Sequence, residues 1–210
     1  MEKNAMTSEI EPSRIIDLDL ARKSDFRRPS FPHQIQAIEK LQDWFEKQYK
    51  PTGTLLVLPT GSGKTYVAIR FLCEQPLSEN YKVLWLAHAH HLLEQAFLEF
   101  CPKDKERIKK DGRLVSLIRE PRKNLRIRVV SGSSSHSDIS QIESNDDVLI
   151  ATLQTINKAL FKNHPALERF LGSCGGKLFV VFDEAHHAPA NSYRKILKKL
   201  SEFCPDMKLL

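Results

Sequence analysis

The sequence predicts an α/β domain: a mainly parallel, doubly wound sheet with helices on both faces. Three observations lead there. Four apolar runs of strand length, at 55–58, 83–87, 148–151 and 178–182, show no polar alternation, as expected of strands covered on both sides. Segments with helical spacing separate them. The first and last runs each end in a group suited to phosphate and cation chemistry, which in such sheets gathers at the carboxyl ends of the strands.

The elements follow in order. Ile15-Ile16-Asp17-Leu18-Asp19-Leu20 reads as a short strand or a docking segment, and the first dozen residues as disordered. Pro32 suits the first turn of a helix, and Ile35, Ile38, Leu41 and Phe45 then recur on one face with Trp44 beside them. Leu55-Leu56-Val57-Leu58 reads as a buried strand. The helix after it carries Val67, Ala68, Phe71 and Leu72 inward and stops before Pro76. The strand at 83–87 runs into His88-Ala89-His90-His91, which opens another helix. A strand is predicted at 125–131, and Ser131-Gly132-Ser133-Ser134-Ser135-His136-Ser137 reads as a flexible loop. The strand at 148–151 meets Thr152, a natural N-cap. A turn at 172–176 precedes the strand at 178–182, and 192–203 forms an amphipathic helix with Ile196, Leu197 and Leu200 inward. Met207-Lys208-Leu209-Leu210 looks like the opening of one more strand.

Composition bounds the alternatives. With 210 residues, 41% hydrophobic and 28% charged, the chain suits one soluble domain, expected over 26–210 behind a polar, partly disordered segment at 1–25. Its apolar runs are too short to span a membrane, and residues 1–11 lack the apolar core of a secretory signal. Cys73, Cys101, Cys174 and Cys204 are widely separated, which suits reduced thiols in a cytoplasmic protein. Net charge is +6, and between Lys103 and Arg128 eleven Lys/Arg stand against four Asp/Glu. That stretch is either a phosphate-binding patch or a solvated helix and loop.

The chemistry concentrates in two places. In Thr60-Gly61-Ser62-Gly63-Lys64-Thr65, the glycines allow the backbone to turn its N–H groups toward an anion. Lys64 can reach the outer phosphates, and the Thr65 hydroxyl can hold Mg²⁺. At the end of the last apolar strand, Asp183 and Glu184 are either a solvated turn or, paired with the phosphate loop, a Mg²⁺ ligand and a base for water.

Pro59-Thr60-Gly61-Ser62-Gly63-Lys64-Thr65 together with Asp183-Glu184-Ala185-His186 resembles the motifs of superfamily 2 DEAD/DEAH-box helicases and translocases. The likeness is greatest to the group found in restriction-enzyme subunits, as His187-Ala188-Pro189-Ala190 suggests, and it covers about 28–210. It implies a RecA-like P-loop NTPase domain that binds ATP and Mg²⁺. In it Lys64 and Glu184 are catalytic, Thr60 to Thr65 cradle the phosphates, and Thr65 and Asp183 hold the metal. It also implies that Gln34 reads the adenine edge; the alternative is an exposed first-turn residue. Phe31 stands where the family often has Arg, and could stack on the base. The segment from His88 to Gln95 resembles motif Ia, and Thr152-Leu153-Gln154 resembles a Thr-x-Gln motif. The resemblance therefore implies nucleic-acid backbone contacts at His88, His90, Gln95, Thr152 and Gln154. Ala89 replaces an expected Arg, and Leu58 stands where the general phosphate-loop pattern has Gly. A metal among the three histidines and a plain N-cap role for Thr152 remain alternatives. The implied partners are nucleic acid, DNA more than RNA, and a second RecA-like domain or a nuclease or methylase subunit. The sequence stops where the family's Ser/Thr-Ala-Thr motif would begin, so hydrolysis is expected to need arginines from that second lobe, and the sheet is expected to be incomplete at its C-terminal side. A helicase or translocase, an ATPase switch that clamps nucleic acid, and a non-hydrolysing nucleotide-binding fragment all fit.

Overall fold

The computed structural model describes residues 11–47, 52–184 and 190–210, without the side chains of 190–192. The expectation of disorder falls on residues mostly outside this range, as do Ala185, His186 and 187–189. The sheet has six strands: β1 (Ser13–Asp17), β2 (Lys82–Ala87), β3 (Asn124–Val130), β4 (Val148–Thr152), β5 (Leu178–Phe182) and β6 (Lys208–Leu209). They lie in the order β1-β3-β4-β2-β5-β6. Every pairing is parallel except β1 on β3, so the sheet is mixed but mostly parallel.

The pleat explains why the strand runs are apolar throughout. Along β2, Val83, Trp85 and Ala87 enter one core while Leu84 and Leu86 enter the other. The first core is closed by α1 (Leu18–Lys23), α2 (Pro32–Glu46), α3 (Lys64–Glu74) and α4 (His90–Phe100). The second is closed by α6 (Leu153–Phe161), α7 (Pro165–Gly172) and α8 (Ala190–Phe203). With helices on both faces, neither side of a central strand has water to accommodate a polar residue. Phe179 centres the first core. Trp44, Phe45 and Phe71 surround it at centroid distances of 6.2, 6.2 and 5.8 Å.

Two expectations change. The segment at 55–58 is no buried strand: Gly53 bridges Leu209 in parallel, but Leu55 and Val57 are 75% and 76% exposed. Its neighbour β6 offers only two residues of register, so beyond Leu209 the segment has no strand partner among the described residues. Leu55 and Val57 mark the face of it that meets solvent. The basic stretch between Lys103 and Arg128 also resolves. Its helix α5 (Lys105–Asp111) buries nothing. Arg122 pairs with Asp147 at 3.1 Å, and Arg128 with Asp146 at 2.7 Å. These acids immediately precede β4, at the edge of the sheet opposite the phosphate loop. The exposed α5 fits the solvated-helix alternative, whereas Arg128 is buried and Arg122 half-buried in ion pairs on that far edge.

Candidate functional site

The phosphate loop is a turn closed by the Ser62 N–H donating to the Pro59 carbonyl at 3.2 Å. Gly61 and Gly63 have φ of 78° and 86°, in the left-handed region, and Gly63 is the N-cap of α3. A Cβ at 63 would also lie 2.6 Å from Gln34 Nε2, so the amide would have to shift. Thr60 and Gly61 are exposed; Ser62, Gly63, Lys64 and Thr65 are half-buried. Lys64 opens α3, and its Nζ lies 3.4 Å from the Leu58 carbonyl oxygen and 3.8 Å from Glu184 Oε1.

The carboxylates arrive from β5. The Asp183 N–H donates to the Leu86 carbonyl at 2.8 Å, which fixes the strand end against β2. Glu184 then takes φ of 53°, a conformation that costs a non-glycine residue about 1–2 kcal/mol. Burial, and secondarily the neighbouring Glu184, push the Asp183 carboxyl up to about 6. The Trp85 indole N–H lies near enough to oppose this weakly, but outside hydrogen-bond geometry; Lys64 opposes it too. Lys64, Thr65, Asp183 and Glu184 line one cavity of about 390 Å³. Its remaining wall is apolar, with Leu56, Leu58, Val181 and Leu210 among the lining residues. The donor set fits Mg²⁺: hard oxygens from the Thr65 hydroxyl and the Asp183 carboxyl, with Glu184 beside them and negative charge that Lys64 only partly offsets.

Gln34 is 4% exposed, which overturns its alternative as a helix-surface residue. Its Oε1 accepts from the Phe31 N–H at 3.0 Å, and its Nε2 donates to the Ser62 carbonyl at 2.9 Å. The amide thus clips the start of α2 to the phosphate loop. Phe31, 66% exposed, stacks on His33 with centroids 5.8 Å apart and planes within 6°. His33 Nε2 in turn lies 3.3 Å from the same Ser62 oxygen. Sequence reasoning passed over His33; its place beside Gln34 in the first turn of α2 was the available signal.

The ends of β2, β3 and β4 form a second surface along the same edge. His88 is half-buried, while His90 and Gln95 are exposed on α4 and Gln154 on α6. Thr152 is buried and is the N-cap of α6: its Oγ1 accepts from the Thr155 N–H at 3.3 Å and meets Thr155 Oγ1 at 2.8 Å. The N-cap alternative is therefore present in the fold. Among the described residues no group of three His, Cys, Asp or Glu side chains is arranged to hold a metal. The serine loop after β3, read as flexible, is closed on itself: Val130 bridges Ser137, and the Ser137 N–H donates to the Val129 carbonyl at 2.9 Å.

Among curated proteins none matches the chain. The family described as "Type III restriction enzyme, res subunit" matches residues 29–205, and the chain belongs to that family. Among solved structures, the chain is similar to the DUF1998 helicase MrfA at 17% identity and TM-score 0.57, covering 91% of this chain. The structure of MrfA bound to DNA and AMPPNP is similar at 15% identity and TM-score 0.58, covering 96%. The chain spans 28% of the length of MrfA. Its fold is that of a helicase N-terminal RecA-like domain. Among the described residues no helix is long and apolar enough to cross a membrane.

Proposed function

We propose that residues 26–210 are the ATP-binding first motor domain of a helicase or translocase that works on DNA. The observation that carries the reading is the convergence of Lys64, Thr65, Asp183 and Glu184, from two segments 120 residues apart, on one cavity. Lys64, from the first residue of α3, neutralises the outer phosphates. Backbone N–H groups of the loop and the N-terminus of α3 hold the remaining phosphate charge. Thr65 and Asp183 hold Mg²⁺, which when bound offsets charge on the phosphate oxygens. Glu184 orients the attacking water and takes its proton. Phe31 stacks on the base, and Gln34 relays base occupancy to Ser62 through its amide. His88, His90, Gln95, Thr152 and Gln154 face a nucleic-acid backbone. DNA is favoured by the family and by the DNA in the similar MrfA structure.

Full turnover also needs arginine donors from a second lobe, commonly worth about 10³–10⁵ in rate. The test is ATP turnover by the 210-residue chain, with and without single- and double-stranded DNA, beside Glu184→Gln. We expect Mg²⁺-ATP binding in both proteins and scarcely measurable hydrolysis in either. Brisk DNA-stimulated turnover by the wild-type chain, abolished in Glu184→Gln, would show that the site completes itself and overturn the requirement for a second lobe. Absence of nucleotide binding would overturn the reading itself.

A further inference from the structure

The closed serine loop holds a histidine that the nucleotide site does not use. His136 points inward from the loop, with its side chain 1% exposed. Its Nδ1 lies 2.7 Å from Ser131 Oγ, and Ser131 Oγ also accepts from the Ser133 N–H at 3.0 Å. On the other side of the ring, Nε2 is shut off from solvent with Glu94 Oε1 of α4 at 3.8 Å, beyond hydrogen-bond distance. The ring edge of His90, also on α4, packs against it at 5.6 Å. These are the titratable groups facing His136. Burial first, then His90, lower its pKa, while Glu94 raises it; the net direction is down, so the ring is neutral at neutral pH.

A neutral ring carries one proton, and the surroundings decide which nitrogen has it. A bare Nε2 lone pair beside the Glu94 carboxylate would be repelled, so the proton belongs on Nε2. Nδ1 is then the acceptor, and Ser131 must donate to it. The result is a directed chain: Ser133 N–H to Ser131 Oγ, Ser131 O–H to Nδ1, and Nε2–H toward Glu94. It joins the serine loop to the helix that carries His90 and Gln95.

Gly132 is open to solvent: its φ is outside the left-handed region, and a Cβ there would meet nothing within 4 Å, so its backbone can be approached from outside the chain. The loop borders an open cavity of about 600 Å³ lined by Ser131, Gly132, Ser133, Ser134, Asp138 and Gln141, among others. Asp138 places a carboxylate in this lining, so the groups that suit a phosphodiester are the serine hydroxyls and the open backbone at Gly132 and Ser133.

We propose that His136 is a positioning residue for the nucleic-acid edge, pinning the serine loop to α4 so that the backbone at Gly132 and Ser133 meets a bound strand. This rests on the nucleic-acid reading above. It is tested by the affinity of the 210-residue chain for fluorescein-labelled oligo-dT at low salt, together with NMR of the His136 ring. His136→Ala and Ser131→Ala should each weaken binding about five-fold, the value of one hydrogen bond. The double variant should be no weaker than either single one. His136→Asn, whose side-chain oxygen can accept from Ser131 in place of Nδ1, should restore most of the affinity. In the wild type the ring should be the Nε2–H tautomer with a pKa below that of a free imidazole. Ser131→Ala should raise that pKa by removing the donor to Nδ1, and Glu94→Gln should lower it by removing the nearby anion. Wild-type binding that His136→Ala and Ser131→Ala leave unchanged, or an Nδ1–H tautomer, would overturn the proposal alone. A wild-type chain with no affinity for oligo-dT would overturn the nucleic-acid reading and the proposal with it.

Discussion

Asp183 and Glu184 show how single residues carry the chemistry. Asp183 is held up to about 6 by burial and by its neighbour. The folded state therefore holds its proton more tightly than the unfolded chain. That favours folding below the ordinary carboxylate range near 3.8, and the advantage is lost as pH rises through about 6. Mg²⁺ held by ionised Asp183, as proposed, would reverse the balance. Mg²⁺-dependent nucleotide affinity should therefore rise as pH increases through about 6, and Asp183→Asn should flatten that rise; titration calorimetry across this range checks it. Lys64→Ala removes a charge-assisted contact worth about 1.5–3 kcal/mol, so nucleotide affinity should fall about 10–100-fold. Gln34→Ala should weaken nucleotide binding by loosening Ser62, whatever the base. If Gln34 also reads adenine, the preference for ATP over GTP should relax as well. Unchanged preference with weakened binding would leave it only as the clip seen here. The candidate phosphate loop and the acidic pair were legible from their spacing taken together, whereas Gln34 was singled out only by the family resemblance. Their wiring was not. That Gln34 is spent on Phe31 and Ser62, or that His33 shares the same oxygen, depends on packing between segments 28 residues apart.

The elements differ in how securely they are held. β5 lies between β2 and β6 and places Phe179 inside an aromatic cluster of the first core. Phe179→Ala should cost about 3–5 kcal/mol in thermal or denaturant unfolding. By contrast, Leu55→Ser or Val57→Ser should change stability by no more than about 0.5 kcal/mol, because both side chains already meet solvent. An effect at Leu55 or Val57 as large as that at Phe179 would show that the segment is covered in solution. This contrast also marks where the sequence misled. Four uninterrupted apolar runs look alike, yet three are central strands and the fourth, at 55–58, has a partner only at its start. Apolar composition records what a segment is suited to bury; the structure packed against it decides how much it does. The serine loop erred in the other direction. Its composition is that of a flexible linker, but His136 and the Val130–Ser137 bridge give it a fixed shape.

At the scale of the molecule, the parallel sheet brings the phosphate loop, the acidic pair, the histidine helix and the serine loop to one edge, and sends the paired arginines to the other. That division follows from strand direction: in β2 through β5 every carboxyl end faces the same way, so loops after strands share a surface. Fold class and site location were therefore legible together, since alternation of strands and helices predicts both. The mixed edge, where β1 runs antiparallel to β3, was not, because a five-residue segment with two isoleucines carries no directional signal. The central claim is that Lys64, Thr65, Asp183 and Glu184 form one Mg²⁺-nucleotide site within this chain. The most direct measurement is binding of a fluorescent ATP analogue to the wild-type chain, with Mg²⁺ and with EDTA, beside Lys64→Ala and Asp183→Asn. We predict Mg²⁺-dependent binding that Lys64→Ala weakens about 10–100-fold and in which Asp183→Asn removes the dependence on Mg²⁺. Binding of equal strength in all three proteins, with or without Mg²⁺, would contradict the site.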